Sequence, residues 1–196
     1  METKQKVGKY TVQVQYSEYP VDSPRDWDNA WKFMFAHKRY YMPNETDLSF
    51  DDYSSWKELE TDLKKQYLHI VPVWMFDHSG LSFGIGDKPC PWDSGQVGFA
   101  LLSKEDINNF GLEDFSYDKL VDLLIEDLEV FGQYMNGTSY EYQILDEHGN
   151  VIDSCTGYYK LEYAMESGVA DAKSLIKYEE QKAWEKFMDG VSAGLN

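Results

Sequence analysis

"SYDKLVDLLIEDLEVFGQYMNG" (residues 116–137) runs straight into "TSYEYQILDEHGNVIDSCTGYYK" (138–160), and the change of period between them decides the fold. In the first stretch Leu120, Leu123, Leu124, Leu128 and Phe131 recur at helical spacing and make one apolar stripe. Ser116 is placed to cap this helix and Gly137 to close it. In the second stretch Tyr140, Tyr142 and Ile144 alternate, "DEHGN" turns, and the chain returns through Val151 as a hairpin.

Upstream, "KYTVQVQYSEY" (9–19) alternates as a strand through Tyr10, Val12, Val14 and Tyr16. "SPRDWDNAWKFMFAHKRY" (23–40) admits two readings. Ser23 and Pro24 can open a helix with Trp27, Ala30, Trp31 and Met34 on one side, or "WDN" can form an Asx turn in an irregular segment. Trp56, Leu59, Leu63 and Tyr67 are spaced for a helix, and "HIVPVWMFDHS" (69–79) is β-like, although Pro72 argues against a fully bonded central strand. "LSFGIG" (81–86) reads as its return strand across a "DHSG" turn, and "QVGFALLS" (96–103) as another strand. "SKED" (103–106) is a capping-box pattern opening a short helix, and a last helix spans about 168–189 with Leu175, Tyr178, Trp184 and Phe187. The order predicts an α+β fold: a single domain over 1–196, mainly antiparallel sheet with helices packed on one face, and short flexible ends at about 1–8 and 190–196.

Composition agrees with a packed core, since 42% of residues are hydrophobic and 16% aromatic, the opposite of a disordered chain. No secretory leader or membrane-length apolar run is visible, so a cytoplasmic, non-membrane protein is expected. The net charge of -17 is unevenly spread: residues 43–170 hold 25 acids against seven bases, whereas residues 1–42 hold five against seven. Such a field repels nucleic acid and favours a basic protein partner, although solubility alone is a sufficient reason for it.

Candidate chemistry gathers in "DHSG" (77–80) and "CPWDSGQVG" (90–98). His78, Asp93, Ser94 and Cys90 are the catalytic candidates, and Trp92, Gln96, Asp153, Arg25 and Arg39 the ligand-binding ones. Adjacency alone makes no triad, and the second stretch is neither a nucleophile elbow nor a phosphate loop. Asp77, Asp93 and Ser94 are equally suited to holding turn amides, with Trp92 covering a polar network. Each arginine can clamp an anionic ligand or pair with one of the chain's own acids. The histidines and cysteines lack zinc spacing, so neither a metal nor a cofactor is expected, and Cys90 and Cys155 read as ordinary buried thiols.

Together "SPRDWDN", "HKRY", "DHSG", "PWDSGQVG", "YMNGTSYEYQI" and "DSCTGYY" resemble a widespread uncharacterised family carried by bacteriophages and mobile elements. The resemblance covers about residues 23–160 and departs at "YMPNE" (41–45). It implies a phage or mobile-element origin, with action in the host cytoplasm, and carries no established activity. With the acidity, it gives the expectation of an accessory protein that binds and inhibits a basic host nuclease, restriction or other defence complex, by DNA mimicry in one form, without contacting nucleic acid itself. Asp47, Asp51, Asp52, Glu58 and Asp62, and Asp118, Asp122, Glu126 and Glu129, are the expected acidic interface. The alternatives are a small ligand-binding protein or hydrolase using the polar motifs, and a virion-associated oligomer.

Overall fold

The computed structural model describes residues 2–19, 21–86 and 93–193, with side chains through 189. The chain divides into two compact units, 1–21 with 137–196, and 22–136. Both pair antiparallel sheet with helix, so the α+β class is as expected, and the strands are shared between two four-stranded sheets.

The first unit contains β1 (Glu2–Val7), β2 (Tyr10–Tyr16), β7 (Tyr140–Leu145) and β8 (Val151–Tyr158) in that spatial order, with α4 (Leu161–Ala193). Val12, Val14, Tyr142 and Ile144 face Ala164 and Ala172 of α4 in a core of its own. A Cβ on Gly168 would fall 2.6 Å from Val12, so the helix lies close against the sheet there. The expected loose end at 1–8 differs from what is seen, because residues 2–7 form β1. Backbone pairing to β2 holds that strand in place, while only Val7 of its side chains is buried.

The second unit is built on β3 (Lys32–Phe35), β4 (His69–Asp77), β5 (Leu81–Gly84) and β6 (Ser94–Leu102), ordered β3-β6-β4-β5. Alternation splits the side chains of this sheet. Phe33, Phe35, Val71, Val73 and Leu102 pack on Leu120, Leu124, Leu128 and Phe131 of α3 (Tyr117–Met135). Met34, Phe99 and Leu101 pack the other way, on Leu59 and Leu63 of α1 (Trp56–Leu63). Helices therefore cover both faces here, where one face was expected. The shortest helix, α2 (Lys104–Asn109), carries the predicted capping box between Ser103 and Asp106.

Residues 23–40 resolve in favour of the irregular reading. A single tight turn at Pro24–Asp26 is followed by extended chain, and the Asn29 side-chain amide donates to the Pro24 and Trp27 carbonyls at 2.9 and 2.7 Å. Trp31 is fully buried, its indole N–H donating to the Leu120 carbonyl at 2.9 Å. The divergent "YMPNE" segment runs along the free edge of β3, with Phe35 N–H donating to Pro43 and Glu45 N–H to Phe33, both at 2.9 Å. Pro72 sits where β4 is paired with β6 alone, because β5 reaches only as far as Trp74.

Candidate functional site

Strand β4 ends at Asp77, and 77–80 turn the chain into β5. His78 N–H bonds the Gly80 carbonyl at 3.1 Å. Ser79, with φ of 58°, is the one non-glycine residue in the left-handed region among the described residues. Strand β6 begins opposite this turn, and Asp77 N–H donates to the Asp93 carbonyl at 3.0 Å. The "DHSG" turn is thus held to Asp93, within the described part of "CPWDSGQVG". Asp93 Oδ2 lies 3.5 Å from His78 Nδ1, so two of the catalytic candidates meet. Their side chains are 67% and 44% exposed, so this pair is not the buried network expected. Cys90 and Trp92 lie outside the described residues.

A third segment joins them. Asp77 Oδ2 accepts from the Arg39 guanidinium at 2.5 Å and from the Tyr40 hydroxyl at 2.9 Å. The bond from Asp77 holds the Tyr40 phenol above its ordinary pKa, with desolvation acting in the same direction. Tyr40 stacks on His37 at 5.1 Å between ring centres, and Arg39 N–H donates to His37 Nδ1 at 3.3 Å. One carboxylate at the end of β4 therefore organises the whole "HKRY" segment. His37, Arg39, Asp77, Asp93, Ser94 and Gln96 border a cleft of about 240 Å³.

How β6 shapes this cleft is not legible in residue order. Val73 pairs with Gly98 and Trp74 with Gln96, so Val97 is an extra residue, a bulge that re-aims the strand's side chains. Gly98, at φ of 155°, crosses so close to β3 that a Cβ would fall 1.9 Å from the Met34 carbonyl oxygen. Only glycine fits there. Part of the "QVG" signature is thus a steric requirement of packing β6 against β3.

The other ligand-binding candidates lie elsewhere. The Arg25 side chain is only 6% exposed and spends its donors internally, on Glu45 at 2.8 Å and on the Trp31 carbonyl at 2.6 Å, with the guanidinium 3.8 Å above the Phe33 ring. Of its two readings, pairing with the protein's own acid is the one realised. Asp153 belongs to the other unit, on β8, where its Oδ1 accepts from Ser154 N–H at 2.8 Å. Cys155 on the same strand is exposed, a correction to the expected buried thiol, because β8 leaves most of its side chains in solvent.

The two acidic groups both fall in the second unit and differ in character. Around α1, Asp47, Asp51 and Asp52 are exposed, but Glu58 is bound by Ser54 N–H and Oγ at 2.9 and 2.6 Å, and Asp62 by Lys65 and Tyr53. Lysines interleave this ridge. On α3, Asp118, Asp122, Glu126 and Glu129 are all exposed. At 100° per residue they fall within about 80° of arc, opposite the buried stripe, over about 16 Å of helix. Lys119 is the base closest to that line, and Ile125 exposes apolar surface within it.

No helix of the described residues is long and apolar enough to cross a membrane, and no cluster of three or more His, Cys, Asp or Glu among them is arranged to hold a metal ion. No family model, no curated protein and no solved structure matches the chain.

Proposed function

We propose that the protein is an acidic binding protein whose outer face of α3 docks on a basic surface of a partner protein. The line of four exposed carboxylates, Asp118, Asp122, Glu126 and Glu129, with Ile125 exposed among them, carries this reading. Like-charged groups along one helix face repel one another, and a cationic partner relieves that repulsion on docking. The Ile125 side chain supplies apolar area that charge alone does not. In its finer form, the protein is a phage or mobile-element accessory factor that inhibits a basic host nuclease, restriction or other defence complex by occupying a surface that otherwise holds DNA phosphates.

The test is inhibition of a panel of host nucleases and restriction complexes at physiological salt, using the parent, a variant with all four α3 acids changed to lysine, and one with Asp47, Asp51 and Asp52 changed to lysine. Inhibition of at least one enzyme, relieved by excess duplex DNA and lost only in the α3 variant, supports the proposal. No inhibition across the panel, or equal loss in both variants, overturns it.

A second reading rests on the His78–Asp93 pair. A carboxylate on Nδ1 orients the imidazole and leaves Nε2 to take a proton, the geometry of a hydrolytic base and its positioning group. Turnover of a chromogenic ester abolished by His78→Ala, with the fold intact, would favour this reading over docking.

A further inference from the structure

A second cavity, about 530 Å³, opens beside "HKRY" on the α1 side of the second unit, and the acidic-face reading does not use it. Its walls are Phe50, Tyr53, Trp56 and Leu59, with His37 and Lys38 at its edge. The size is that of a small-molecule pocket, as is the mix of aromatic wall and few polar groups. Trp56 is set edge-to-face against both Phe50 and Phe99, at 5.7 and 5.8 Å between ring centres, so the wall is braced from behind.

The cavity's hydroxyls are engaged within the protein, and its basic groups are not. The Tyr53 hydroxyl is engaged with Asp62, and Ser54 Oγ donates to Glu58. Ser55 Oγ accepts from Glu58 N–H, which satisfies the start of α1 internally. His37 Nδ1 already accepts from Arg39 N–H, so the free ring nitrogen, Nε2, carries the proton and donates. Lys38 has no ion pair or hydrogen bond among the described residues. No carboxylate lines the cavity, in a chain with 35 acids and 18 bases. The basic side chains left open are Lys38 and His37, one of them cationic, beside an apolar aromatic wall.

We infer that this cavity binds a planar aromatic anion: a ring packed against Trp56 and Phe50, with its carboxylate or phosphate held by Lys38 Nζ and His37 Nε2. Two sources share that chemistry, aromatic carboxylates and nucleoside monophosphates. His37 and Arg39 belong to one segment held by Asp77, so ligand binding here is coupled to the order of the polar cleft on the other side of His37.

The experiment is calorimetric titration of the full chain with indole-3-acetate and with adenosine 5′-monophosphate, each beside its uncharged counterpart, indole-3-acetamide and adenosine. At least one anion is expected to bind with Kd of about 1 mM or tighter, and about tenfold tighter than its neutral partner. Lys38→Ala, an exposed substitution, should weaken that anion about tenfold and leave the melting temperature in place. Trp56→Phe, which keeps a ring against Phe99, should weaken both members of the pair alike. Which anion binds tells carboxylate from nucleotide. Failure of both anions, equal affinity for anion and neutral analogue, or unchanged binding in Lys38→Ala overturns the inference. None of these outcomes touches the α3 face, so this site and the docking surface stand or fall separately.

Discussion

Arg25 and Arg39 are the only arginines in the chain, and each is paired with one carboxylate, yet the two corners they occupy differ in almost every physical respect. At the Arg25 corner the guanidinium is buried over Phe33, bridges to Glu45 and to the Trp31 carbonyl, and Glu45 also accepts from Phe33 N–H at 2.5 Å. At the Arg39 corner the side chain is 69% exposed and touches Asp77 at the rim of an open cleft. A buried charge paired with its own carboxylate and bonded to the backbone is a structural fixture, and its loss is felt as an uncompensated charge. An exposed charge with donors to spare remains available to something else. Of the two, only the Arg39 corner is chemically open.

The largest loss is expected from Arg25→Met. Removing one member of a buried, hydrogen-bonded pair typically costs about 3–5 kcal/mol, because the partner stays desolvated. Urea unfolding should show the midpoint falling accordingly, and the double variant Arg25→Met/Glu45→Gln should regain part of the loss. A shift no larger than that from an exposed pair would show the Arg25 corner to be as dispensable as the other.

Next in size is a gain. Asp127 on α3 is packed near the Arg25 corner, and burial pushes its carboxyl up to about 6, with Arg25 pulling it back down and Glu126 and Glu45 adding to the rise. The folded-state pKa lies above the unfolded value of 3.8, so the folded protein binds this proton more tightly. The penalty is absent below about pH 3.8 and fully present above about pH 6. Asp127→Asn is therefore expected to stabilise the protein by about 1–3 kcal/mol at pH 7.5, with the advantage gone by pH 4. Paired melts across that range read the difference between the variants and cancel the other carboxylates. A pH-independent difference would remove burial of the charge as the cause.

The sequence carries α3 clearly through its long apolar stripe and β7 through its alternation, and the "DEHGN" turn leads on to β8. It fails at β1, where "ETKQKV" buries only Val7 and is held by backbone bonds that leave no trace in side-chain pattern. It fails at the start of α4, where the helix begins at Leu161 instead of near 168. The later part of that helix leaves Tyr178, Trp184 and Phe187 exposed, so their spacing marks a helix but no core. At the site, the turn residues are local features and can be read, whereas Asp77 meets Asp93 through the pairing of β4 with β6, which are not consecutive strands. The clamp of Asp77 on Arg39 and Tyr40 spans 38 and 37 residues, and the cavity behind Lys38 needs α1 folded against β6. Such contacts follow from tertiary packing, and no spacing rule reaches them.

Asp77→Asn probes the Arg39 corner from the carboxylate side. The amide keeps an acceptor for Tyr40 but gives up the charge that holds Arg39. Asp77 is mostly buried while its cation is not, so a loss of about 1 kcal/mol is expected, below the Arg25 effect. The more telling readout is order in "HKRY": the His37 and Tyr40 ring resonances should broaden or shift together in NMR spectra. Unmoved rings would mean that Asp77 does not organise the segment.

The smallest effect expected is that of Arg39→Met. Its guanidinium gains little from an ion pair that water surrounds on most sides, and the long side chain gives up rotamer freedom to make it. The cost in urea unfolding should stay under about 0.5 kcal/mol, and Asp77 should still be satisfied by the Tyr40 hydroxyl at 2.9 Å. Added salt should erase even this small difference, since an exposed pair is screened and the Arg25 pair is not. The arginine is set where a fold has little need of it, at the mouth of a cleft bordered by Asp93, Ser94 and Gln96. A stability loss matching that of Arg25→Met would make Arg39 a second structural fixture, committed to Asp77 and closed to any ligand of the cleft.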